Sequence, residues 1–235
     1  MPAPELWIIA GPNGAGKTTT VQRGGLAESL AAAEFINPDA VTLEHLKTMG
    51  YGWENAPPEV LKETFIRAAE DSAARLESII ESGGIAAVES VLSTGKYCGL
   101  VERVRALGGD FHLVYVALNS PVLSAMRVSN RTAHGGHDVP LDKLEPRWRA
   151  SLNLLPWFAF HATSFYILDN PDSRPGEPGT LLISGFENEV CVHGVPSASM
   201  RHDPVVKASS RAAPSARRAT RVISASQNAA ITPRS

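Results

Sequence analysis

Gly11-Pro12-Asn13-Gly14-Ala15-Gly16-Lys17-Thr18 carries the clearest chemistry in this 235-residue chain. It matches the phosphate-binding loop pattern G-x-x-x-x-G-K-[ST] at every fixed position. Glycines let backbone N–H groups turn inward around a phosphate, and a following helix adds its positive dipole end. Lys17 is placed to reach β/γ-phosphates, and the Thr18 hydroxyl to ligate Mg²⁺. The setting agrees: Leu6 to Ala10 reads as a buried parallel strand, and the residues from Thr18 through Leu26 and Leu30 as the helix after the loop. A glycine-rich turn that binds nothing would not need strand, loop, lysine and threonine in this order. The reading is a nucleoside triphosphate site, with Mg²⁺ as an expected ligand.

Other polar residues fall where strands are expected to end. Phe35-Ile36 reads as a short second strand with Asp39 just beyond it, and Ile85 to Val88 as a strand ending in Glu89. Each acid also has a structural reading, Asp39 as the cap of a helix starting near Ala40 and Glu89 as a strand-end carboxylate. On the same sheet edge as the phosphate loop, both become candidates for phosphoryl-transfer chemistry. Arg127 and Arg131 are four residues apart, so they share one helix face suited to gripping phosphates. Gly135-Gly136 follows as a candidate lid hinge. His134 and His137 on that glycine turn suit capping or lid contacts better than a metal site.

The elements that must position these residues alternate. Pro57-Pro58 opens a helix whose apolar residues recur at helical spacing until Gly83-Gly84. Tyr97–Leu107 reads as a helix, Phe111–Leu118 as a buried strand, and Pro121 to about Thr132 and Leu141 to Leu154 as helices. Phe165–Leu168 and Leu181–Ser184 are the last strand candidates. The connector before Pro57 reads as polar. Alternation of this kind implies a mostly parallel sheet covered on both faces, with ligands outside the carboxyl ends of its strands.

Composition sets the limits. The hydrophobic fraction of 43% is ordinary for a globular core. No apolar run approaches the roughly 20 residues of a membrane span. Residues 1–5 have no signal-peptide character, and Cys98 and Cys191 have neither metal-ligand nor disulfide-scaffold spacing. A cytoplasmic location is expected. The net charge of −2 is uneven: residues 197–235 hold seven basic residues and one acid, leaving 15 of the 22 basic and 23 of the 24 acidic residues in 1–196. The chain therefore reads as one domain over 1–196 and a basic, disordered tail over 197–235. The acidic body makes a nucleic-acid partner an unfavourable reading. The chain carries no N-K-x-D guanine sequence and no L-S-G-G-Q-like signature, which disfavours a GTPase and an ABC-type ATPase.

In this order, the motifs resemble the zeta-toxin-like family of P-loop kinases across roughly residues 5–170. The matching residues are Ile9 to Thr18, Phe35-Ile36-Asn37-Pro38-Asp39, Glu89-Ser90-Val91-Leu92-Ser93-Thr94, Arg127 to Pro140 and Leu168-Asp169-Asn170. The resemblance implies a five-stranded, kinase-like sheet and transfer of the ATP γ-phosphate to a sugar hydroxyl, UDP-N-acetylglucosamine being the best-described acceptor. It implies Asp39 as general base, Glu89 and Thr94 as acceptor-binding residues, and Arg127 and Arg131 as phosphate clamps. Glu145-Pro146-Arg147-Trp148 stands where an Arg-Arg pair with an aromatic is common, so Arg147 is a further phosphate contact to examine. The family also implies a toxin–antitoxin setting with an antitoxin partner. A polynucleotide or other small-molecule kinase, and a non-catalytic ATP-dependent switch, are the alternative readings.

Overall fold

The computed structural model describes residues 2–23, 26–133, 139–170, 180–186 and 189–193. The basic tail and the 196/197 boundary lie outside the described residues, as do His134, Gly135, Gly136 and His137.

One sheet organises the chain. Its strands are β1 (Glu5–Ala10), β2 (Glu34–Ile36), β3 (Ile85–Ser90), β4 (Asp110–Ala117), β5 (Ser164–Asp169), β6 (Thr180–Phe186) and β7 (Glu189–Val192), in the spatial order β2-β3-β1-β4-β5-β6-β7. The first five run parallel, and β6 and β7 add on antiparallel. The expected five-stranded sheet is thus a seven-stranded one. The five parallel strands are as anticipated, and the β6–β7 pair covers the edge that β5 would otherwise leave unpaired. β7 is four residues long and carries too little apolar pattern to be read as a strand from sequence.

The helices are α1 (Lys17–Arg23), α2 (Pro38–Thr48), α3 (Pro58–Glu81), α4 (Cys98–Ala106), α5 (Pro121–Thr132) and α6 (Leu141–His161). Period-2 alternation divides the sheet. Leu6, Ile8, Val88, Leu113, Tyr115 and Ile167 meet Leu76 and Ile80 of α3, Val101 and Val104 of α4, and Leu155 and Phe158 of α6. Trp7, Ile9, Ala87 and Val114 face the other side, under Val21 of α1 and Leu26 and Leu30.

Three helices depart from expectation. α1 ends at Arg23, and Leu26–Leu30 packs on the sheet as turns, since glycines at 24 and 25 disfavour continuing the helix. The polar connector holds α2, whose few buried residues, Thr42 and Leu46, give little amphipathic signal. α6 runs seven residues past Leu154, through Pro156, because Leu155, Phe158 and Ala159 are core residues on that extension. Among the described residues, no helix is long and apolar enough to cross a membrane.

At the amino end of the sheet, His112 stacks on Trp7 with ring centroids 4.3 Å apart. Its Nδ1 is 2.7 Å from Ser164 Oγ and its Nε2 is 3.5 Å from Glu5. Burial holds its pKa below the ordinary histidine value, outweighing the carboxylates of Glu5 and Asp110. The folded state therefore takes up this proton less readily than the unfolded chain. The stability so gained is complete above the unfolded pKa of about 6.5 and is lost as the pH falls below it. The urea midpoint should drop between pH 7.5 and 5.5, and His112→Phe, which retains the stack, should drop less over the same interval.

Candidate functional site

The loop between β1 and α1 is held from outside by side chains. Ser124 Oγ of α5 donates to the Asn13 carbonyl at 2.7 Å, and Arg127 Nη1 to the Gly14 carbonyl at 3.2 Å. Asn170 Nδ2, just past β5, donates to the Ala15 carbonyl at 2.7 Å, and its own carbonyl accepts from Arg127 Nη2 at 3.5 Å. Two glycines make this close approach feasible. Gly16 has φ +87°, and a Cβ there would come within 2.5 Å of Asn170 Nδ2; Gly11 has φ +141°, and a Cβ there would strike the Val116 carbonyl of β4.

Lys17 is only 8% exposed, and its Nζ donates to the carbonyls of Gly11 at 3.0 Å and Pro12 at 3.3 Å. Burial pushes its pKa below the usual lysine value, while the charges of Glu89 and Asp39 oppose that shift. Glu89 Oε1 is 3.8 Å from Lys17 Nζ. Its Oε2 accepts from Thr18 Oγ1 at 3.1 Å and from Asn37 Nδ2 at 3.3 Å. The parallel register explains the meeting: Glu89 on β3 lies beside Ile9 on β1, one residue short of the loop.

Asn37 has a second role. Its Oδ1 accepts from the N–H groups of Asp39 at 3.0 Å and Ala40 at 3.4 Å, so Asn37 rather than Asp39 caps α2. Such a cap is worth typically about 1 kcal/mol. The Asn-Pro-Asp sequence carries this signal, an N-cap asparagine before a proline at the first helical position. Asp39 is thereby released from capping. Among the described residues its carboxylate accepts no hydrogen bond and forms no salt bridge, whereas Glu89 is engaged by Thr18 and Asn37. That contrast separates two acids that spacing alone left equivalent.

These groups share a cleft of about 320 Å³. Asn13, Gly14, Lys17, Asn37, Asp39 and Glu89 form one part of its wall, and Ser90 to Thr94, Lys96, Arg131 and Arg147 the rest. Thr94, Arg131 and Arg147 therefore line the same cleft as Lys17 and Asp39. Arg127 is not among the lining residues; it clasps the loop from behind. Sequence reasoning missed Ser124 and Lys96, and it quoted Asn37 and Asn170 within matching motifs without a functional role for either. Lys96 had no signal, since only the fold brings it into the same cleft as Asp39. Burial lowers the Lys96 pKa, and the negative charge of Asp39 works against that. Leu92, 1% exposed, adopts φ +57°, a conformation costing a non-glycine residue about 1–2 kcal/mol.

No protein-family model and no curated protein sequence matches the chain. Solved structures do. A chain of the native AvrRxo1-ORF1:ORF2 complex superposes with a TM-score of 0.65 at 15% identity, covering 96% of this chain and 75% of its own. The complex crystallised with ATP gives 0.63 at 18% identity over 82% of this chain, which spans 61% of that protein's length. The PezAT chromosomal toxin–antitoxin system of Streptococcus pneumoniae gives 0.53 at 16% identity, covering 97% and 87% of the two chains. The chain shares the α/β fold of these structures, with the phosphate-loop sequence between β1 and α1.

Within this fold, Asn170 ties the end of β5 to the loop. Asn170→Ala removes a buried hydrogen bond worth about 1 kcal/mol, and calorimetric titration should show ATP binding weakened about fivefold.

Proposed function

We propose that the protein transfers the γ-phosphate of ATP to a hydroxyl of a small acceptor. The observation that carries this reading is the Asp39 carboxylate, which accepts no hydrogen bond among the described residues, in the same cleft as the buried Lys17 of the phosphate loop. Asp39 accepts the proton of the acceptor hydroxyl as its oxygen bonds to the γ-phosphorus. The bond from the γ-phosphorus to the β,γ-bridging oxygen breaks, and ADP departs. Lys17, Arg131 and Arg147 neutralise charge spread over the phosphates, while Arg127 braces the loop that carries Lys17.

The oxygen donors Thr18 and Glu89, joined by a hydrogen bond, suit a hard cation such as Mg²⁺. Thr18 would hold it, with Glu89 supporting Thr18. When bound, Mg²⁺ would offset the negative charge of the phosphates. Glu89 thus serves the nucleotide side as well as the acceptor side first expected for it.

For the acceptor we propose a sugar nucleotide, UDP-N-acetylglucosamine first, with Glu89, Thr94 and their neighbours along the acceptor wall. The motif resemblance supports this choice, as does the shared fold with the PezAT system. The same likeness supports an antitoxin protein as a partner. Free Cys98 and Cys191 suit a reducing, cytoplasmic setting.

Purified protein with Mg²⁺, γ-labelled ATP and UDP-N-acetylglucosamine should place label on the sugar nucleotide. Asp39→Asn should lower the rate at least about 100-fold with ATP affinity within about twofold, and Lys17→Ala should abolish ATP binding. ADP release without labelled sugar would reject this acceptor, and ATP binding without turnover would favour a nucleotide-dependent switch.

A further inference from the structure

The acceptor wall of the cleft is the backbone turn Ser90–Thr94, which contains Leu92, the one non-glycine residue at positive φ among those described. A conformation of this kind persists only where its surroundings over-determine it. Strand alternation sets up those surroundings. Glu89 points with Ile9 toward α1 and the nucleotide loop, so Ser90 points to the opposite face, where α4 and α6 pack.

On that face the turn is tied twice. Ser90 Oγ accepts from the Leu92 N–H at 3.0 Å. Ser151 Oγ of α6 donates to the Val91 carbonyl at 2.7 Å and lies 2.9 Å from the Tyr115 hydroxyl. A serine hydroxyl has a single proton. Since that proton goes to Val91, Tyr115 must donate to Ser151. Tyr97, Tyr115 and Ser151 are all buried, and Leu92 packs in the same core cluster as both tyrosines. Polar groups at such depth are costly unless satisfied, and this chain of them ends on backbone that lines the cleft.

We infer that Ser151, although it is buried on α6 and does not line the cleft, is a positioning residue that sets the Ser90–Thr94 turn for the acceptor through the Val91 carbonyl. This rests on the reading of that wall as the acceptor side. Lys17, Thr18 and Glu89 lie across the sheet from the latch, so the inference separates acceptor binding from ATP binding. Tyr115, which donates to Ser151, is the second arm of the same latch.

Ser151→Ala and Tyr115→Phe are therefore compared with the wild-type chain. Each should raise the KM for UDP-N-acetylglucosamine about tenfold while the Kd for ATP stays within about twofold. In hydrogen exchange, the amides of residues 91–94 should exchange about tenfold faster, with those of the phosphate loop unchanged. The inference is overturned if both variants leave exchange at 91–94 unchanged, if they accelerate it throughout the chain, or if ATP affinity falls as far as acceptor affinity. Should the wild-type protein phosphorylate no sugar nucleotide, the acceptor assignment fails by itself. Exchange and ATP affinity then still decide whether the latch exists.

Discussion

Burying the ammonium group of Lys17 is the constraint on which the rest of this structure depends. An ammonium that is 8% exposed is tolerable only when it is surrounded by acceptors and opposite charge. Here the Gly11 and Pro12 carbonyls and the Glu89 carboxylate meet that need, each from a different position along β1, its loop and β3. The requirement explains why β3 lies directly beside β1. It also explains why Glu89 sits one residue before the strand end, and why Asn37 and Thr18 converge on the same carboxylate. A phosphate-binding loop is therefore as much a statement about the neighbouring strand as about its own glycines.

A second layer of order comes from the opposite direction. Ser124 and Arg127 on α5, and Asn170 at the end of β5, grip three consecutive carbonyls of the loop. Two elements distant in sequence thus brace a segment that has few contacts of its own. Arg127 shows how one face of a helix divides its work. Its guanidinium braces the loop and the β5 end, while Arg131, one turn on, reaches the cleft. Both are arginines at helical spacing, and only their depth against the sheet distinguishes them.

Much of the fold was legible because hydrophobic patterning and proline and glycine punctuation act locally. The five parallel strands, the long α3 opening at Pro58 and closing before Gly83, and α5 beginning at Pro121 all follow from residues within a few positions of the element. The elements that were misread lack such local signals. α2 buries too little to show a stripe, β7 is too short, and α6 continues through Pro156 because core contacts made by Leu155 and Phe158 outweigh the lost backbone hydrogen bond.

The sequence by itself determined that a phosphate-loop motif would lie between Gly11 and Thr18 and that Asp39 and Glu89 would stand at strand ends nearby. Glycine freedom, a lysine and a hydroxyl at fixed spacing are properties of contiguous residues. Only the tertiary structure decided which acid is hydrogen-bonded among the described residues and which is not, because that depends on Asn37 capping α2 and on Thr18 meeting Glu89 across two strands. It alone also brought Lys96, Arg131 and Arg147 to one cleft and set Ser151 behind the Ser90–Thr94 turn. Those meetings are long-range hydrogen bonds and charges, whose partners no spacing along the chain can name.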